Sequence, residues 1–441
     1  VSAASPARLR PSRRGWQPEW RLTELALLVL GAGLGLAAAA TVPLQAGQSL
    51  RLLDLLPALT VCALFGLLHV AIAARGGGSD SVILPVTQAL MLLGLALAQR
   101  LSAGLDLPRL AQREALWLVL GILTLAVVAL APVDLRLLRR YRYTWLLLAL
   151  SLVALTFVAG HSTIDGGPRL WLGPGAWSFQ PSEVLKLLVI VFLAAYLAER
   201  HEVLSAGGRR IGRFELPPIP YLAPLALMLG LSLGLLFAQK DLGAALLLFV
   251  IALGLIYVAS GRADVVVGGL LAFVLGAWLL HGHVSVVQTR VAIWQDPWAD
   301  AQGAGYQIVQ GLLAIGAGGV MGTGLGFGQP TAIPAVHTDF VYAAIAEELG
   351  LAGATGVLCL YLVLALRGLA VAIRAVDPFE RLLAAGLALG LAVQTFIIVG
   401  GVLKVIPLTG ITLPFLSYGG TSIVISSVAV GLLLRISRRA A

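Results

Sequence analysis

His337-Thr338-Asp339-Phe340 stands where a long polar stretch gives way to an apolar run, and that run soon carries Glu347 and Glu348 side by side. An ordinary aspartate, with a pKa near ~3.9, is ionised at neutral pH and can take a proton from a hydroxyl. At a bilayer boundary ionisable groups are expensive to hold and mark functional sites by default. Asp339 also has a plainer reading, because an Asp just before an apolar helix is a standard N-cap. Glu347 would lie roughly 12 Å into that helix at ~1.5 Å per residue, too deep for capping. Glu347 or Glu348 therefore needs a partner, a polar cavity or water.

A second constellation is Gln180-Pro181-Ser182-Glu183-Val184-Leu185-Lys186. Pro181 suits a first helical turn, and Glu183 complements the positive end of the helix. Glu183 and Lys186, three apart, share a face and can pair structurally. A lysine at the centre of a span costs about 2.5–3.5 kcal/mol, which snorkelling reduces. The glycines between Gly316 and Gly328 lack the spacing of a phosphate loop and fit tight turns in a re-entrant or surface loop. Ser417-Tyr418-Gly419-Gly420-Thr421-Ser422 permits close helix packing where a span begins. His281, His283 and His337 are too scattered for a zinc site. Cys62 and Cys359 fall in apolar runs as packing residues.

These residues need a membrane to position them. The chain is 59% hydrophobic and 12% charged, against about 25% charged in ordinary globular domains. Apolar runs of roughly 20 residues recur and predict an all-α polytopic membrane protein of about twelve spans. They lie near 23–43, 52–74, 82–101, 114–132, 143–160, 182–199, 218–238, 241–259, 264–281, 340–366, 380–403 and 416–434. The basic tail 1–22, with Arg8, Arg10, Arg13, Arg14 and Arg21, shows no signal-peptide cleavage pattern.

An even span count places both termini on one side. Of the 30 lysines and arginines, the opposite side holds only Arg51, Arg100, Arg109, Arg113, Arg169, Lys240, Arg290 and Lys404, with Lys186 inside a span. The positive-inside rule then makes both termini cytoplasmic and explains the net charge of +9 without nucleic acid. The polar motifs fall on the outer face, including the loop 282–339, whose Ile308, Leu312, Leu313 and Ile315 are expected to lie on the membrane surface. Gly77 to Ser79 and Gly207-Gly208 are expected to be flexible points on the inner side.

With these motifs in order, the chain resembles the SEDS family, the RodA/FtsW group of peptidoglycan glycosyltransferases. The resemblance rests on Gln180-Pro181-Ser182-Glu183 with Lys186, Asp241-Leu242-Gly243, and Asp296-Pro297-Trp298 through Gly305-Tyr306-Gln307. It continues in Gly322 to Gly326, His337-Thr338-Asp339-Phe340, Glu347-Glu348-Leu349-Gly350 and Pro407 through Gly420. It implies a ten-span glycosyltransferase core over 82–437, so that 23–81 holds two additional N-terminal spans. Two positions depart from the family pattern. Gln239-Lys240-Asp241 stands for the usual Gln-Pro-Asp, and Ala335 replaces a Glu often found before His-Thr-Asp.

The resemblance implies that Asp339 is the catalytic residue and that the substrate is lipid II, polymerised at the outer face. A glycosidase usually needs two carboxylates because its alcohol leaving group must be protonated. A pyrophosphate leaves without that help, so one carboxylate to deprotonate the acceptor hydroxyl suffices. Lys186, Arg290, Lys240 and Lys404 are candidates to neutralise the pyrophosphate, and Glu183, His337 and Ser417 join them as substrate-binding residues. Glu347 and Glu348 are assigned a structural role within the span. No cofactor or metal is required, although a divalent cation could assist at Asp339 or the pyrophosphate. The resemblance also implies a class B penicillin-binding protein as partner, and Ala346 leans towards the elongation branch. The alternative is a lipid-linked precursor flippase, with Glu347, Glu348 and Lys186 lining a polar pathway.

Overall fold

The computed structural model describes residues 18–440 apart from 46, 77, 106, 133, 163–166, 176–177, 206–208, 212–213 and 217–218. Arg8, Arg10, Arg13, Arg14, Gly77, Gly207 and Gly208 lie outside these residues, as do the side chains of His281 and His283.

Apolar segments of sufficient length become helices because a bilayer leaves no other partner for their backbone groups. In chain order they are α1 (Pro18–Gln45), α2 (Leu52–Ala74), α3 (Ile83–Gly104), α4 (Leu110–Leu130), a short α5 (Arg136–Arg140), α6 (Arg142–Ala159) and α7 (Pro181–Ser205). After a two-stranded antiparallel hairpin, β1 (Arg209–Ile211) with β2 (Phe214–Leu216), come α8 (Ile219–Ala238), α9 (Leu242–Ser260) and α10 (Ala263–His283). The loop 282–339 holds α11 (Ser285–Gln295) and α12 (Tyr306–Gly318), and the chain ends with α13 (Val341–Arg374), α14 (Pro378–Val402) and α15 (Gly420–Ala440). Each span read from the sequence coincides with one helix. Among the described residues ten helices are long and apolar enough to cross a membrane, while α8 and α10 contribute shorter apolar stretches, 223–238 and 263–279.

The bundle has an inner and an outer set. In the central windows of α14 and α15, 78% and 83% of residues are buried, against 17% in α1. Lipid-facing helices such as α1 and α10 instead expose Leu34, Leu271 and Trp278. Two contacts fix the N-terminal pair: α1 lies close to α3, with Gly35 against Leu92, and Glu24 of α1 meets His69 of α2 at 2.8 Å.

α13 is broken rather than continuous. Gly350 has φ +68 and ψ −171, a conformation that excludes helix and favours glycine. The backbone groups released there are taken up by the glycine loop. Thr323 N donates to Glu347 O and Gly324 N to Glu348 O, while Leu351 N and Ala352 N donate to Gly319 O and Val320 O, all at 2.9–3.1 Å. The approach is close: a Cβ on Gly350 would lie 2.2 Å from Gly322 N. Residues 341–348 are buried, so this irregular stretch is sheathed in protein rather than lipid.

α12 departs from the surface position expected of it. Ile308, Val309, Gly311 and Ala314 are buried, and a Cβ on Gly311 would lie 2.5 Å from the Phe340 ring. Its apolar face is spent on the start of α13, and Leu313 alone of the four expected residues is largely exposed.

Candidate active site

The loop before α13 is a turn in its own right. Thr338 N and Asp339 N both donate to Ala335 O, and Ala335 takes φ +49. The helix cap is therefore Phe340, and no side chain caps α13. Asp339 is released from the capping role that its position in the sequence allowed.

The loop 404–419 clamps this turn. Tyr418 N donates to His337 O at 2.7 Å, and Ser417 Oγ donates to Thr338 O while accepting from Leu413 N. The His337 and Tyr418 rings stand 6.0 Å apart, and an Arg113 side chain from α4 hydrogen-bonds the Tyr418 hydroxyl. On the other side Asp339 Oδ2 faces Gly410, 3.6 Å from where a Cβ would sit, and Gly410 has φ +71. A side chain there would be strained by the backbone conformation and would sit in contact with the carboxylate.

Arg290 enters from α11. Its Nη1 donates to Thr409 O at 3.4 Å, and its guanidinium feels both Asp241 and Asp339. Asp241 caps α9 through Ala244 N at 3.1 Å and accepts from Ser182 Oγ at 3.1 Å and Gln180 Nε2 at 3.3 Å. The Gln-Pro-Ser turn, the α9 N-terminus, the α11 arginine and the His-Thr-Asp turn thus meet at Thr409-Gly410.

Electrostatics sharpen the picture. Burial pushes the Asp339 carboxyl up to about 6, against the lowering pull of a Thr338 hydrogen bond and of Arg290. Asp339 is half-buried rather than sealed, so solvent reaches it. Burial lowers the Arg290 pKa, opposed by its two carboxylates, and an arginine stays charged regardless. Burial also lowers His337, whose Nδ1 is buried without a partner, so the ring is neutral near pH 7. Asp241 is raised by burial, against the bonds it accepts.

The other expected residues are placed elsewhere. Lys186 Nζ bonds Glu183 at 2.6 Å and Gln394 Oε1 at 2.7 Å, one layer below the site, and Gln394 passes the link to Thr412 O at 2.7 Å. Lys404 Nζ donates to Gln295 O at 3.1 Å and so ties down the α11 C-terminus, while Trp294 Nε1 returns a bond to Lys404 O. Lys240 is exposed on the α8–α9 turn beside Asp241, with φ +62. Glu348 pairs with Arg100 of α3 at 2.9 Å, and Glu347 accepts from Gln329 N at 2.7 Å, so both hold the glycine loop.

Sequence reasoning singled out neither Asp241 nor Tyr418 nor Gln394 as site residues; the first two stood inside quoted motifs, and Gln394 gave no signal. Among the described residues no three His, Cys, Asp or Glu side chains gather to hold a metal. Beside Asp339 the nearest charge is already the Arg290 guanidinium, and Asp241 is committed to three donors. This donor set does not fit a resident divalent ion.

Such an arrangement defines a multi-pass helical membrane protein with one carboxylate–arginine site at the end of its bundle. Residues 81–441 match the family of FtsW, RodA and SpoVE, described as cell cycle proteins, and the chain belongs to that family. It is 38% identical to the peptidoglycan glycosyltransferase RodA of Mycobacterium tuberculosis over 429 residues, 96% of this chain and 92% of that one. It is 34% identical to a probable peptidoglycan glycosyltransferase FtsW of Geobacter sulfurreducens, over 82% of this chain and 95% of that one. A chain of a solved peptidoglycan synthase complex, described as coordinating polymerization and crosslinking, superposes with a TM-score of 0.67 at 31% identity, covering 82% of this chain and 98% of its own.

Proposed function

We propose that the protein is a peptidoglycan glycosyltransferase that polymerises lipid II, with Asp339 as its base. The observation that carries this reading is the Asp339 carboxylate, free of helix capping, partly open and set beside Arg290. Asp339 takes the proton of the acceptor's GlcNAc 4-hydroxyl as that oxygen attacks C1 of the donor's MurNAc. The C1–oxygen bond to the pyrophosphate breaks with inversion, and undecaprenyl pyrophosphate departs with the electron pair. Arg290 is the cation best placed to neutralise it, and Lys240 is a second candidate on the neighbouring turn. Lys186, Glu183, Ser417 and His337 hold the two loops that frame the reaction, and Lys404 fixes the helix that carries Arg290.

The names of the relatives support the activity, and the larger identity to RodA supports the lean towards elongation. The synthase complex supports a crosslinking partner, which we assign as a class B penicillin-binding protein. The core is assigned to 82–437, with two additional spans in 23–81. Both termini are placed in the cytoplasm and the site at the outer face, from the charge bias.

A flippase would need a polar route through the bundle. Lys186, Glu347 and Glu348 are instead bonded to protein groups. The deciding experiment uses purified protein with lipid II, with and without the transpeptidase partner. Glycan chains from wild type and none from a folded Asp339→Asn variant are expected. Polymer from Asp339→Asn would remove the base assignment, and lipid II translocation without polymer would favour the flippase.

A further inference from the structure

At the end of the bundle where α1 begins and α15 finishes, four arginines converge on the last turns of α2 and α4. Arg438 donates to Ala129 O at 3.3 Å and Gly76 O at 3.4 Å, and Arg435 donates to Val128 O at 3.3 Å. Arg75 donates to Leu130 O, and Arg21 to Ile72 O at 3.3 Å. Carbonyls at helix C-termini lack intrahelical partners and attract cations, which explains these bonds.

Capping does not exhaust the cluster. A guanidinium carries five N–H donors, and the bonds to carbonyls engage one or two each on Arg75, Arg435 and Arg438. Arg438 Nε is buried with no acceptor, and Arg75 and Arg21 repel its charge. The nearby carboxylates make their ion pairs elsewhere, Glu24 with His69, Asp80 with Arg367, and Asp134 and Glu380 with Arg439. They reach the cluster at its backing arginines, Glu24 at Arg21 and Asp134 and Glu380 at Arg435. Among the described residues no ion pair joins Arg75, Arg435 or Arg438 to a carboxylate. Positive charge is therefore concentrated at one point with donors to spare, the setting in which arginine takes a phosphate.

The surroundings specify where that phosphate comes from. Arg75 follows α2 directly and Arg438 sits in the last turn of α15, at the level where spans end and headgroups lie. Leading away from the cluster towards the bilayer, the adjoining helices α2 and α4 expose Leu67, Val70, Leu123 and Val127. Such a surface accepts acyl chains, whereas a free anion has no use for it.

We propose that Arg75 and Arg438, backed by Arg21 and Arg435, bind the phosphate of an anionic phospholipid headgroup where the α1–α2 pair meets the core. The bound lipid then fastens the additional N-terminal spans to α4 and α15.

The test uses the full purified chain in neutral detergent, followed by thermal unfolding and by native mass spectrometry. Phosphatidylglycerol is expected to raise Tm and to remain bound, whereas phosphatidylcholine of the same acyl chains does neither. The R75Q/R438Q variant is expected to bind phosphatidylglycerol at least tenfold more weakly, at roughly fivefold per arginine, and high salt to weaken binding in wild type. R136Q, on the same face with its side chain 90% exposed, is expected to match wild type. R75Q alone, which removes one exposed arginine, gives a roughly fivefold reading should the double variant not fold. Equal phosphatidylglycerol binding by wild type and the arginine variants, or equal stabilisation by phosphatidylcholine, overturns the proposal. Stabilisation by inorganic phosphate equal to that by the lipid overturns the lipid assignment in favour of a soluble anion.

Discussion

Asp339 can accept a proton only as a carboxylate, and burial has moved its pKa to about 6. Polymerisation measured as kcat/KM is expected to rise with pH through about 6 and level off above it. Arg290→Gln removes one of the two groups that hold the pKa down, so the profile should move to higher pH with a lower plateau. Asp339→Asn is expected to lower the rate by ~10²–10⁴-fold. The same raised pKa has a consequence for stability. A carboxyl whose folded pKa lies above its unfolded value loses stability on ionising, beginning near the unfolded pKa of ~3.9 and complete above the folded one. Asp339→Asn should therefore raise Tm at pH 7.5 and leave it unchanged near pH 4, a comparison that calorimetry or dye-based melting can make. Under the proposed base role, the destabilisation is the cost of holding a proton acceptor in the site.

The element that supports the site is the broken α13 with its glycine loop. Because Gly350 needs φ +68 and approaches Gly322 so closely, Gly350→Ala combines backbone strain with a clash. Strain of this kind costs about 1–3 kcal/mol before the clash is counted, and a fall in Tm should report it. Arg100 and Glu348 offer a cleaner test of the polar groups beneath the loop. The Glu348 side chain is 0% exposed, so Arg100→Ala leaves a buried charge unpaired, at about 3–5 kcal/mol. Adding Glu348→Gln should restore much of that loss, and a double-mutant cycle on thermal stability measures how much. The depth of Glu347 and Glu348 in the sequence already required partners for them. It could not reveal that the partners would be Arg100, far back in the chain, and the backbone of a loop folded onto the break.

For the whole molecule, the assignment of faces can be checked by labelling. Gln302 in the long loop before α13 and Val376 in the turn after it are both exposed and flank opposite ends of that helix. With Cys62 and Cys359 replaced by serine, Gln302→Cys is expected to react with a membrane-impermeant maleimide in intact cells. Val376→Cys should react only after the membrane is opened. The reverse pattern would put Asp339 on the cytoplasmic side, where no lipid II polymerisation at the outer face is possible. The geometry independently places the start of α1 and the end of α15 at one end of the bundle, through Arg21, Arg75 and Arg438.

Composition and span length were local properties, so the sequence alone determined a multi-pass helical membrane protein and where its apolar helices run, while the charge bias of the loops supplied the expectation of which loops share a face. Motif order was equally legible, and it pointed to Asp339 and to the family. Whether Asp339 capped a helix or was free for chemistry was decided only by the turn closed on Ala335 O, a backbone conformation that a single residue type does not dictate. The sorting of the cations was tertiary as well. Lys186, Arg290 and Lys404 look alike in a sequence. They part company because Gln394, Thr409 and Gln295, from segments remote in the chain, lie within hydrogen-bond reach of one each.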